Sequence, residues 1–263
     1  MRKYLRHYLI CSSRALRDSL RLARRLISRV AWLLRWKVRR LLKSAPGETV
    51  AFRFEDVRCY FINLNRRTDR RRETESALQG VGVATYSRFD AVDGSALSVS
   101  FMSSVQSGSL GCALSHKAVL GNLLDSETPV LICEDDVHFA VGAGDFRMVV
   151  QEFLDNPYLD VLCLAANVSD LPVMVSNRLA ISQDISTTAC YLVKPLAIPL
   201  LHKCFDESSR RLLAGEAVQT ASIDQLWKEL QRRSLFFGVP TQKIALQRRS
   251  KSDITGNIED RGV

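Results

Sequence analysis

Past residue 50 the apolar positions fall into short runs of strand length, separated by longer stretches with a helical period. Residues 57–64 and 130–133 are apolar runs suited to strands buried on both faces. Residues 65–79 are polar and helical, closed by Gly80 and Gly82, and residues 83–89 predict a second strand. The alternation continues with helices over 110–124 and 145–154, a strand over 160–166 and a hairpin over 173–182 turning at Ser176-Asn177. A strand over 187–193, helices over 195–205 and 222–232, and late strands over 235–238 and 244–247 complete it. This order predicts an α/β domain with a mostly parallel sheet and helices on both faces. Ligands in such sheets sit beyond the carboxyl ends of the strands.

The first 47 residues follow a different rule. Leu9, Leu16, Leu20, Ala23, Ile27, Val30, Leu34, Val38 and Leu41 recur at steps of three, four or seven, so at 100° per residue they share one stripe. Arg14, Arg17, Arg21, Arg24, Arg25 and Arg39 fall on the opposite face, and Trp32 and Trp36 lie toward the polar side, where indoles suit a headgroup layer. Residues 5–43 therefore predict a basic amphipathic helix lying on an anionic membrane surface. Arg-rich leaders also serve as transit peptides or bind nucleic acid. Ser44-Ala45-Pro46-Gly47 breaks the helix, which divides the chain into a leader, 1–47, and a globular domain, 48–263.

Charge sharpens that division. The 263 residues carry a net charge of +9, but the leader holds 14 Lys/Arg against one acid, leaving 23 basic and 27 acidic residues in the rest. A mildly acidic body without a recognisable nucleic-acid module argues against a nucleic-acid partner. The apolar stretches fall short of the ~20 residues that cross a bilayer. Seven scattered cysteines without a C-x-x-C, and four histidines that complete no zinc spacing, suggest a reducing compartment without structural metal.

Neither standard glycine-rich phosphate cradle occurs. Two strand ends carry chemistry instead. The first runs into Asn63-Leu64-Asn65-Arg66-Arg67-Thr68-Asp69-Arg70-Arg71-Arg72, whose guanidinium groups gather at a helix N-terminus, a place suited to an anion. Another ends in Glu134-Asp135-Asp136, three adjacent carboxylates that a divalent cation, Mn²⁺ or Mg²⁺, would neutralise. Together they fit a metal–diphosphate substrate.

The same residues carry a family resemblance. Cys59-Tyr60-Phe61-Ile62-Asn63-Leu64-Asn65-Arg66-Arg67-Thr68-Asp69-Arg70 resembles the opening strand and N-L-x-R-R-x-x-R motif of family 25 glycosyltransferases, the lipopolysaccharide and lipooligosaccharide β-galactosyltransferases. Arg88-Phe89-Asp90-Ala91-Val92-Asp93-Gly94, Gly111-Cys112-Ala113-Leu114-Ser115-His116 and residues 130–137 are similar to further motifs of that family, in order. Ile223-Asp224-Gln225-Leu226 and Ser252-Asp253-Ile254 resemble later ones, and Ser109 departs from the glutamate usual before the L-G-C step.

The resemblance implies a GT-A-like, Rossmann-type fold and a metal-dependent, inverting transfer of a hexose, galactose from UDP-galactose, to a lipopolysaccharide-type glycan. It assigns metal contact to Asp136 and Glu134, with Asp135 near the ribose, and donor contacts to Asn63, Arg66, Arg67 and Arg70. Asp93, Ser115, His116 and Asp253 join the donor set, and Arg71 and Arg72 belong to the solvated face. Asp224 is the candidate base; its other reading is a capping box at Ser222-Ile223-Asp224-Gln225 with Lys228 paired to it one turn on. The expected partners are a nucleotide-sugar donor, a glycolipid or glycan acceptor, and the inner face of the cytoplasmic membrane. The competing class is a catalytically silent scaffold that binds glycan or membrane, against which the intact acidic and arginine motifs speak.

Overall fold

The computed structural model describes residues 52–97, 99–248 and the backbone of 250–251 and 258–259; in the leader it describes residues 19, 22–23 and 26–42. The chain falls into two compact units, Met1–Gly47 and Glu48–Val263. In the first, residues 26–42 are helical. Leu26, Ile27, Val30, Leu34, Val38 and Leu41 are exposed, while Trp32 and Trp36, placed toward the polar side by the helical period, are buried. Arg14, Arg17, Arg21, Arg24 and Arg25 lie outside the described residues. No helix among the described residues is long and apolar enough to cross a membrane.

The strands of the second unit are β1 (Arg58–Asn63), β2 (Tyr86–Asp90), β3 (Val130–Glu134), β4 (Val137–Phe139), β5 (Val161–Val168), β6 (Val173–Met174), β7 (Leu179–Ser182), β8 (Ile185–Val193), β9 (Phe237–Pro240), β10 (Ala245–Gln247), β11 (Ser250–Lys251) and β12 (Ile258–Glu259). Eight of them form one sheet of order β2-β1-β3-β8-β5-β9-β7-β6. The neighbours β2-β1, β1-β3 and β5-β9 are parallel, while β8 and β7 each run against both of their neighbours. Six of the eight strands thus share one direction, and the sheet is mostly parallel with two reversed strands set into it. Because β8 is reversed, its N-terminal end lies at the same sheet edge as the carboxyl ends of β1 and β3.

The helices are α1 (Thr68–Gly80), α2 (Ser104–Gly121), α3 (Ala143–Asp155), α4 (Ile198–Leu213), α5 (Val218–Ala221) and α6 (Ile223–Arg233). The buried strands alternate their side chains between two cores. Val130, Ile132, Tyr191 and Val193 join Leu110, Ala113, Leu120, Leu201, Phe205 and Trp227 of α2, α4 and α6. Leu131 and Leu192 turn the other way, toward Phe146 and Val150 of α3. The short strand β4 pairs with β10, which brings Gln247 back to Asp136 just after β3. The strands β11 and β12 pair with each other.

Two details position the site. Helix α2 starts at Ser104, six residues before the apolar period shows it, because Ser103 and Gln106 form a reciprocal capping box. It then packs backbone-to-backbone on the loop after β2: a Cβ at Gly111 would lie 2.7 Å from Gly94 N and Val92 O, and one at Gly94 would strike Ser107 O. Only glycine permits that approach.

Candidate active site

A cleft of about 810 Å³ opens at the carboxyl edge of β1, β2 and β3. Leu64, Arg66 and Arg70 enter it after β1, residues 91–95 after β2, and Glu134 at the end of β3 with Asp135 and Asp136 just beyond it. Cys112, Ser115 and His116 of α2, Thr187 and Thr188 of β8, Asp224 of α6 and Gln247 of β10 also line it.

The three consecutive acids are held apart rather than left to repel one another. Glu134 accepts from Thr188 Oγ1 at 2.8 Å and lies 3.3 Å from His116 Nε2. Asp135 is buried and accepts from Arg70 at 2.9 Å and from Asn63 Nδ2 at 2.7 Å. Burial nevertheless pushes its carboxyl above the usual range, against the pull of Arg70 and Asn63. Asp136 is buried too; its Oδ2 accepts from Gln247 Nε2 at 2.9 Å, and its Oδ1 has no hydrogen-bond partner among the described residues. Burial, and then the neighbouring Glu134, lift the Asp136 carboxyl to about 7. An orphaned, buried carboxylate oxygen beside a second carboxylate is a donor set that fits a hard divalent cation. Asp136 and Glu134 are the residues to hold one.

The arginine motif is distributed differently from its sequence reading. Arg66 lines the cleft, paired with Asp93, and Arg70 lines it, paired with Asp135. Arg67 does not line it: its guanidinium bridges Asp69 at 2.9–3.1 Å at the start of α1. Arg71 pairs with Glu75 and Arg72 bonds Thr68 O, on the solvated side. Asn63 is buried behind the cleft, where it donates to Arg67 O and Asp135 and accepts from Arg88 at 2.9 Å. Its side chain thus sets Asp135 and does not itself line the cleft.

Asp93 caps the turn Gly94–Ala96 through Ser95, whose hydrogen bonds, with Arg66, hold its carboxyl below the usual range. Ser115 bridges α2 to the same loop, donating to Gly111 O at 2.7 Å and accepting from Val92 N at 2.9 Å. His116 is wholly buried, stacked on Tyr191 and 3.1 Å from its hydroxyl. Asp224 reaches the cleft, but no capping box forms at Ser222; Ser222 Oγ donates to the Asp224 carboxylate at 2.7 Å instead. Lys228 pairs with Asp184 at 2.8 Å and leaves Asp224 to the cleft. Asp253 lies outside the described residues.

Arg88 braces the cleft and Thr187, Thr188 and Gln247 line it, roles that no local sequence pattern marks. Thr187 is the non-glycine residue with positive φ among the described residues, at 83°, where β5 and β8 slip register. A β-branched residue there is strained. Burial, and then the carboxylates of Glu134, Asp224 and Asp136, push the Cys112 thiol well above its usual range, so the base candidate and the acidic motif act on one spot.

The geometry defines an α/β protein whose sheet edge carries a cluster of carboxylates flanked by guanidinium groups. Residues 57–172, under half of the chain, match the family model described as Glycosyltransferase family 25 (LPS biosynthesis protein). The chain is 36% identical over 97 residues to "Putative glycosyltransferase R655" of Acanthamoeba polyphaga mimivirus, covering 32% of this chain and 30% of that one. The chain thus spans under a third of the length of this curated relative. Among solved structures, a glycosyltransferase involved in glycosylating the major capsid of PBCV-1 aligns at TM-score 0.34 and 10% identity, over 69% of this chain and 91% of that one. The mannose-1-phosphate geranyltransferase of Thermus thermophilus aligns at 0.35 and 8%, over 73% and 74%. Both likenesses are loose, and the fold rests on the topology above.

Proposed function

We propose that the chain is a metal-dependent, inverting glycosyltransferase that moves a hexose, galactose from UDP-galactose, to a lipopolysaccharide-type glycan. The observation that carries this reading is the orphaned Asp136 Oδ1, buried beside Glu134 in a cleft that also holds Arg66 and Arg70. Bound there, Mn²⁺ or Mg²⁺ supplies Lewis-acid charge to the departing diphosphate. Arg66 and Arg70 meet the same developing negative charge from the β1 side. Asp224, oriented by Ser222, takes the proton of the acceptor hydroxyl as its oxygen bonds the anomeric carbon and the carbon–phosphate oxygen bond breaks on the opposite face. Asp93, braced by Ser95 and Arg66, sets the loop against which the donor nucleotide lies.

The exposed stripe of Leu26, Ile27, Val30, Leu34, Val38 and Leu41 supports placing the leader on the cytoplasmic membrane's inner face, where lipid-borne glycans are assembled. The test is UDP release from a panel of UDP-sugars with Mn²⁺, with and without a glycolipid extract. Extract-stimulated release from UDP-galactose, lost with EDTA and in Asp136→Asn, supports the reading. Folded protein that releases UDP from no donor overturns it.

A further inference from the structure

We propose that Cys112, His116 and Glu134 form a second cation site, selective for a borderline-soft ion such as Zn²⁺, on the wall of the cleft. The sequence shows no zinc spacing because the third ligand comes from another element. Cys112 and His116 stand one turn apart on α2, and Glu134 ends β3. Their ligand atoms all lie within 4.8 Å of one another.

The distances suit a tetrahedral ion. Zn²⁺ at about 2.0–2.1 Å from a histidine nitrogen and a carboxylate oxygen holds them about 3.3 Å apart. His116 Nε2 and Glu134 Oε1 are 3.3 Å apart already. The sulfur lies within 4.8 Å of both and closes on the ion by side-chain adjustment to reach its ~2.3 Å bond. The supporting contacts are built as well. With Nε2 on the ion, the ring proton sits on Nδ1 and is donated to the Tyr191 hydroxyl, 3.1 Å away, which itself is wholly buried. Thr188 fixes the Glu134 carboxylate at 2.8 Å. Such outer contacts set a ligand's orientation and basicity.

All three ligands line the cleft, which leaves the fourth position open to water or substrate. The carboxylates of Asp136 and Asp224 near Cys112 add negative charge that favours a dication. On binding, the Cys112 thiol proton leaves to solvent and the His116–Glu134 hydrogen bond is replaced by two metal bonds. A thiolate and an imidazole in the set select Zn²⁺ over Mn²⁺ or Mg²⁺. Because Glu134 serves both sites, Zn²⁺ held here withdraws it from Asp136 and slows transfer; that consequence rests on the function proposed above, whereas binding itself does not.

The test is Co²⁺ added to the EDTA-stripped full chain, followed by absorbance, with Zn²⁺ as competitor. One Co²⁺ per chain producing a thiolate charge-transfer band, displaced by Zn²⁺, is the expected result. Cys112→Ser loses the band, with Cys112→Ala as a second variant and circular dichroism to verify the fold. Asp136→Asn keeps it, and Tyr191→Phe keeps it while weakening Zn²⁺ about 10- to 100-fold. A folded wild-type chain with no band, or a band that survives in Cys112→Ser, overturns the proposal. The readout is independent of UDP release, so a silent enzyme with an intact band separates this inference from the proposed activity.

Discussion

Replacing Asp136 by Asn removes a buried charge while keeping the side-chain shape. A carboxyl whose value rises from 3.8 to about 7 on folding costs the fold roughly 4 kcal/mol once the pH exceeds 7. The sign follows from proton binding. Between the two values the folded chain holds a proton that the unfolded chain has released, so stability falls as pH rises from about 4 to 7 and then levels off. Asparagine escapes that cost. Its Oδ1 can still accept from Gln247 Nε2, but its own amide nitrogen then takes the orphan position, which returns about 1–2 kcal/mol.

The net expectation at pH 8 without metal is a variant more stable than wild type by about 2–3 kcal/mol. For a chain of this size that corresponds to a Tm higher by roughly 5–10 °C. The advantage disappears by pH 4, where the carboxyl stays protonated in the fold and is about half protonated in the unfolded chain. Urea unfolding and thermal melts in EDTA at pH 4, 6 and 8 measure it directly. Mn²⁺ should then raise the wild-type Tm and leave the variant unmoved. A variant no more stable than wild type at pH 8, or a gap that ignores pH, would refute the idea that Asp136 is a charge held in an unfavourable place until a cation arrives.

Other substitutions probe the frame around it. Asn63→Ala strands Asp135, Arg88 and Arg67 O of one partner each and should cost about 2–4 kcal/mol in urea, with a matching loss of Mn²⁺ stabilisation; a cost under 1 kcal/mol would show that Asn63 does not brace the acid. Gly111→Ala drives a methyl group to 2.7 Å from the backbone of Val92 and Gly94, so α2 must move off the loop. A loss of at least about 2 kcal/mol is expected by denaturant titration, and a neutral result would mean that the close packing is absent. Thr187→Gly relieves a left-handed threonine and should gain up to about 1 kcal/mol by urea unfolding while lowering UDP release; loss of stability would show that φ is not strained there.

Much of the fold is legible without coordinates, because its signals are local. Residues 58–63 and 130–134 read as strands, since strands buried on both faces need apolar side chains at successive positions. The charge break at Gly47 and the acids after β3 are equally plain in one dimension. The partners of those acids are not. Asn63 meets Asp135 across 72 residues, Gln247 meets Asp136 across 111, and Glu134 meets Thr188 across 54. Strand direction is similarly hidden: the run at 185–193 reads as a strand either way, and only its reversal beside β3 carries Thr187 and Thr188 to the ligand edge. The arginines show the same limit, for their pattern marks a basic helix start, yet Asp69 captures Arg67 while Asp135 turns Arg70 inward. Composition and period thus determined which residues could bear charge at the sheet edge. Long-range packing alone decided which charges are neutralised, and so left a carboxylate oxygen at the sheet edge, Asp136 Oδ1, buried without a hydrogen-bond partner among the described residues.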